Sequence, residues 1–103
     1  MAERSAFRIP IRLSIRYTEN GSFHNGIIKD MSESGMCVLA EQIDHTENAT
    51  IKVALPVNKR HLHLSGKLTR NFRSSLNKSG FGIMFIDPPQ EYIDYIEELL
   101  RIL

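Results

Sequence analysis

The sequence predicts a mainly-β fold, a small six-stranded antiparallel β-barrel with a C-terminal α-helix. Three observations carry that expectation. Apolar and polar residues alternate in short runs, turn-forming residues separate the runs, and the period lengthens to three or four after Asp87-Pro88-Pro89. At 103 residues the chain can bury one modest core without staples, so residues 1–103 are expected to form a single domain.

The first strand is expected over residues 9–17, with Ile9, Ile11, Leu13, Ile15 and Tyr17 on one face and Arg12, Ser14 and Arg16 on the other. Glu19-Asn20-Gly21-Ser22 then supplies the Asn-Gly pair of a tight hairpin. A second strand over 23–29 runs into Asp30-Met31-Ser32-Glu33-Ser34-Gly35. There Asp and Ser side chains can bond their own backbone, and glycine allows a positive φ or a close approach. The third strand covers 36–40. After a polar stretch at 42–48, the fourth covers 50–56 with Ile51, Val53 and Leu55 on one face. The fifth covers 62–72, where Gly66 signals a bulge or a close approach. A polar hairpin loop at 74–79 leads to the sixth, over 80–87, and the barrel is expected to span 9–87.

Pro88 and Pro89 cannot continue a strand and can seat a helix start. The helix is expected over 90–103, because Tyr92, Ile93, Ile96, Leu99, Leu100 and Leu103 recur at three- and four-residue spacing. Glu91 and Asp94 near its start and Arg101 near its end complement the helix dipole. Its expected role is to cover an open face or end of the barrel. Tyr95 and Ile102 widen the apolar stripe and leave room for a partner contact.

Two residue groups carry candidate chemistry. Arg4 and Arg8 lie just ahead of the first strand, and Asp30, Ser32, Ser34 and Gly35 lie in the turn after the second. A guanidinium forms paired hydrogen bonds to phosphate, fits the O6/N7 edge of guanine and stacks on flat rings. A carboxylate accepts from the N–H donors on guanine's opposite edge, and serine can donate or accept. The combined preference is for guanine plus phosphate.

Arg4-x-x-x-Arg8 followed by Asp30-x-Ser32-x-x-Gly35 resembles the signature of the PilZ domain family, an RxxxR pair and a [DN]xSxxG turn. The resemblance extends over nearly the whole chain, through Arg8-Ile9-Pro10, Gly35-Met36-Cys37-Val38-Leu39 and the late Gly82-Ile83-Met84-Phe85-Ile86-Asp87. It implies a PilZ-like split barrel and a bacterial receptor for the second messenger cyclic di-GMP. On that basis Arg4, Arg8, Asp30, Ser32 and Gly35 are the expected ligand-binding residues. Ser34 and Arg12 are accessories. Arg8 and Arg12 also satisfy the RxxxR spacing, but the resemblance places the second arginine directly before the hydrophobic-Pro start of the first strand, where Arg8 stands. The resemblance also implies that the residue before the first motif arginine influences stoichiometry; here it is Glu3, not arginine, which on that basis favours one ligand per chain.

The implied mechanism is conformational. Residues 1–8 are expected to be mobile without ligand and to fold over it, altering the surface that a separate downstream protein reads. Motility or exopolysaccharide output is what the resemblance implies. The other reading is an interaction adaptor of the same fold that binds no nucleotide.

Composition narrows the remaining classes. A net charge of +1 does not suit a general DNA or RNA binder. Four arginines against one glutamate in the first eighteen residues, and five acids against one arginine in the last seventeen, gather positive potential beside the phosphate site. An RNA-binding barrel would also interleave aromatics with basic residues, whereas Phe72 stands alone in the basic stretch 67–73. The single Cys37 suits a reducing compartment, and no apolar run reaches bilayer-spanning length, so the expectation is cytoplasmic residence without membrane insertion. No catalytic residue, metal site or cofactor is expected. Cys37 sits in a strand without an adjacent base, and His61-x-His63 lacks a third ligand.

Overall fold

Two hairpins set the register of the sheet, and both use turns of mirror-image hand. At Asn20-Gly21 both residues have positive φ (55° and 82°), which matches the right-handed twist of the strands they join. That turn pairs Glu19 with Ser22. The second hairpin was not evident from the sequence. Asn58 and Lys59 also have positive φ (49° and 72°), pair Val57 with Arg60 and start the fifth strand two residues earlier than expected. Only the asparagine hints at this turn, because a lysine in the left-handed region is uncommon and strained by about 1 kcal/mol.

The computed structural model describes residues 8–40, 48–73 and 79–102. Its elements are β1 (Ile9–Glu19), β2 (Ser22–Met31), β3 (Gly35–Leu39), β4 (Thr50–Val57), β5 (Arg60–Arg73), β6 (Ser79–Phe85) and α1 (Gln90–Ile102). Every strand pairing is antiparallel, and the order β1-β2-β3-β6-β5-β4 closes into a barrel through β1 on β4. The six-stranded barrel with a C-terminal helix is therefore as the sequence predicts, although β6 ends at Phe85 rather than 87. Gly66 marks a close approach: a β-carbon there would lie 2.6 Å from the Met84 carbonyl oxygen. The bulge lies further along β5, between Leu68 and Arg70.

The alternating apolar residues of β1, β4 and β5 fill the barrel, as their period-two pattern requires, with Ile15, Ile51, Leu55 and Leu68 among those buried. Tyr17 is buried, meets Phe81 edge to face at 5.1 Å and stacks on His24 at 5.2 Å. Burial, reinforced by the nearby Glu19 charge, pushes its hydroxyl up from 10 to about 12. Burial raises Tyr92 in the same direction. Both groups then bind protons more tightly folded than unfolded, so their contribution is intact below pH 10 and declines as pH rises from 10 towards 12. Denaturant midpoints measured across pH 10 should fall on the alkaline side, and equal midpoints on both sides would refute this.

α1 adds Tyr92 and Ile96 to the core, while Ile93, Tyr95, Leu99 and Leu100 are half-buried against it. Tyr92 packs edge to face on Phe85 at 5.1 Å. The Pro89 carbonyl accepts from the Tyr92 and Ile93 amides and so closes the first turn. An exposed ion pair between Arg60 and Glu91 ties the helix start to the β4–β5 hairpin. Ile102 is exposed, and Leu103 lies outside the described residues. No helix among the described residues is long and apolar enough to cross a membrane.

Candidate functional site

Two irregularities in the sheet create the site. The β2–β3 register shifts between Ile28 and Asp30, and the β5–β6 register shifts between Leu68 and Arg70. A bulge places two consecutive side chains on the same side of a strand that would otherwise send them to opposite faces. Lys29 and Asp30 both emerge on the outer surface in this way, as do Thr69 and Arg70. Between these strands run β3 and β6, where Cys37 faces Gly82 across the ladder. Gly82 carries no side chain to fill the space, and an open groove of about 640 Å³ lies over the pair. That volume is in the range typical of small-ligand sites.

Arg8 stands at the mouth of the groove. Ile9 pairs with Met31, which brings the residue before β1 alongside the turn after β2. Its Nε donates to Asp30 Oδ1 at 2.6 Å, joining residues 22 positions apart. One N–H is used in this contact, and a guanidinium has four more to offer a phosphate or a base edge. Ser34 and Gly35 also line the groove.

The turn itself is held from behind. The Ser32 amide donates to the Gly35 carbonyl at 2.8 Å, the Phe85 amide donates to the Ser34 carbonyl at 2.8 Å, and the Tyr92 hydroxyl donates to the Ser32 carbonyl at 2.6 Å. Ser32 is fully buried, and its hydroxyl accepts from the Ser34 amide at 3.3 Å. It shapes the turn from behind and is not among the residues that line the groove. Gly35 also owes its identity to packing, since a β-carbon there would lie 2.0 Å from the Ile83 carbonyl oxygen. Its φ is not positive, so close approach of β3 to β6 is the reason for glycine.

A family model for the PilZ domain matches residues 2–101. The chain belongs to the PilZ domain family. The solved structure of Bacillus subtilis inhibitor of motility (MotI/DgrA) superimposes with a TM-score of 0.71 at 12% sequence identity, covering 91% of this chain and 48% of that one. At that identity the likeness is one of fold, and the chain spans about half the length of that neighbour. No curated protein matches the sequence. PilZ proteins are receptors and adaptors rather than enzymes, and the matched span includes the Asp30–Gly35 turn just described.

Of the motif residues, the fold brings Arg8 and Asp30 into contact and sets Ser34 and Gly35 on the same groove. Arg4 lies outside the described residues. Arg12 is exposed on β1 and is not a groove residue, consistent with a solvated strand face. Lys29, Arg70 and Phe72 complete the groove and were missed as ligand candidates. Leu62, Leu64 and Leu68 set an inward phase that would also point Phe72 inward, and the one-residue bulge inverts it. The only trace in the sequence is three consecutive polar residues, Thr69-Arg70-Asn71, where strict alternation allows one. The Lys29 ammonium lies 6.0 Å from the centre of the Phe72 ring, at the outer edge of a cation–π contact.

Among the described residues that line the groove, three are cationic, Arg8, Lys29 and Arg70, and one, Asp30, is a carboxylate. The groove therefore favours an anion. Burial raises the pKa of the Cys37 thiol, and the Asp30 charge raises it further against the pull of Lys29, Arg8 and Arg70. A thiol kept protonated is a weak nucleophile, so Cys37 serves as an apolar patch of the groove floor.

Proposed function

We propose that this PilZ domain is a cytoplasmic receptor for cyclic di-GMP. The observation that carries the proposal is the direct contact of Arg8 with Asp30 at the mouth of a groove with three cations and one carboxylate. The excess of positive charge along the groove suits the phosphodiesters of a cyclic dinucleotide. Arg8 offers its free N–H groups to phosphate and to a guanine O6/N7 edge, and Asp30 accepts from the guanine N–H donors. Phe72 provides a flat apolar surface for a base, and Arg70 meets the second phosphate from the far wall. Arg4 closes over the ligand from the segment ahead of Arg8, and the altered surface is read by a separate protein in motility or exopolysaccharide control. The neighbour of similar fold is named an inhibitor of motility, which supports the first of these outputs.

Calorimetric titration with cyclic di-GMP tests the reading, with GMP and a short single-stranded RNA as comparisons. Saturable binding of one cyclic dinucleotide per chain, with weak and strongly salt-dependent binding of RNA, is the expected result. Absence of cyclic di-GMP binding would leave a nucleotide-free adaptor as the better account. Arg70→Ala should weaken cyclic di-GMP binding by about 1–3 kcal/mol, the scale of a hydrogen bond to a charged group, and flatten its salt dependence. Unchanged affinity and salt slope would remove Arg70 from the site.

A further inference from the structure

The hydroxyl of Tyr92 makes a contact that neither core packing nor the ligand motifs require. Tyr92 sits in the first turns of α1, and its ring is already buried against Phe85. Yet the hydroxyl crosses 60 residues of sequence to donate to the carbonyl of Ser32, inside the signature turn, at 2.6 Å. From the other side, the amide of Phe85 holds the Ser34 carbonyl at 2.8 Å. Phe85 and Tyr92 thus pack on each other and each hold one carbonyl of the segment that presents Asp30 and Ser34 to the groove.

We propose that Tyr92 is a positioning residue for the ligand turn, coupling the groove to α1 through its hydrogen bond to the Ser32 carbonyl. The proposal rests on the receptor reading for its ligand, though not for its geometry. The turn is held to the barrel by backbone bonds, among them that from the Phe85 amide to the Ser34 carbonyl. Its hydroxyl bonds between Ser32 and Ser34 are long, at 3.3 Å, and internal to the turn. The Tyr92 bond is short, buried and made by a side chain of α1, so it ties the turn to the helix as the Phe85 amide ties it to β6. Arg8 is also near: its charge draws the Tyr92 pKa down against the larger upward push of burial. Coupling of this kind is reciprocal. If ligand at Asp30 and Ser34 favours the bonded turn, loss of the bond lowers ligand affinity by the same factor. Movement of the turn on binding would likewise reach α1, whose Ile102 end is exposed.

Tyr92→Phe keeps the ring and removes the hydroxyl, while Ile96→Val trims a buried core residue one turn further along the same helix. Two readouts are compared for the whole chain: calorimetric affinity for cyclic di-GMP, and amide hydrogen exchange at Ser32, Ser34 and Phe85. Tyr92→Phe should weaken binding about three- to tenfold, the worth of one hydrogen bond, and accelerate exchange at Ser32 and Ser34. Ile96→Val should lower the melting temperature while leaving affinity and turn exchange at parent values. The proposal is overturned if Tyr92→Phe binds as tightly as the parent, or if both variants loosen the turn equally. If the parent itself does not bind cyclic di-GMP, the receptor reading fails and exchange alone decides: acceleration confined to the turn upholds Tyr92 as its positioning residue, and none refutes it.

Discussion

Arg8→Ala is expected to weaken cyclic di-GMP binding by about 2–4 kcal/mol, roughly 30- to 700-fold, while leaving the melting temperature nearly unchanged. The two halves of this expectation have different causes. In the free protein the Arg8–Asp30 pair is partly exposed, with 43% and 22% of the side-chain surfaces accessible. Such pairs contribute about 0–1 kcal/mol to folding, because water and salt screen them. A bound dinucleotide covers the pair, and the same guanidinium then faces phosphate in a drier environment where the contact is stronger. Arg8→Lys keeps the charge but loses the planar fork, so it should also bind more weakly than the parent. His63→Ala is the control: His63 is an exposed, outward-facing residue of β5 that does not line the groove, and its removal should leave affinity unchanged. Calorimetry of the three variants checks the assignment, which is lost if Arg8→Ala retains parent affinity.

Gly35→Ala is expected to destabilise the fold by about 3 kcal/mol or more and to weaken ligand binding at temperatures where it remains folded. The added β-carbon would lie 2.0 Å from the Ile83 carbonyl oxygen, a backbone atom that no rotamer change can move aside. β3 must therefore separate from β6 where Gly35 pairs with Met84. The displacement pulls on the Ser32–Gly35 and Ser34–Phe85 hydrogen bonds, which hold the ligand turn. At about 4–8 °C per kcal/mol for a domain of this size, thermal melting should fall by roughly 12–24 °C. Gly21→Ala makes the instructive comparison. Nothing lies near its missing side chain, but its φ of 82° leaves only local strain, about 1 kcal/mol. A Gly35→Ala variant that melts no lower than Gly21→Ala would show that β3 and β6 accommodate the extra carbon.

Much of this molecule was legible before any coordinates, and the legible parts share a local cause. The alternation of Ile9, Ile11, Leu13, Ile15 and Tyr17 specifies a half-buried strand by itself, and Asn20-Gly21 specifies a mirror-image turn. The three- and four-residue spacing of Tyr92, Ile93 and Ile96 specifies a helix that must cover apolar surface. Arg8, Asp30, Ser34 and Gly35 could be named because the chemistry of each side chain travels with the residue and the motif spacing is short. The hairpin at Asn58-Lys59 was harder to see, since its lysine adopts a left-handed backbone that its side chain disfavours.

Contacts between distant segments decided the rest. Phe72 and Arg70 face the groove because one extra residue in β5 inverts the alternation that precedes it, and nothing local announces which way a bulged strand turns. Ser32 reads from sequence only as a hydroxyl in a turn, and it is the packing of the surrounding strands and Tyr92 that buries it within the turn's hydrogen bonds. Gly35 reads as a glycine for backbone freedom or ligand approach, yet the constraint comes from the carbonyl of Ile83 on another strand. The sequence by itself determined the period of each element and the chemical character of the motif residues. Tertiary structure alone decided which face each strand shows after its bulge and which motif residue meets the groove, because those outcomes depend on how separate strands pack together.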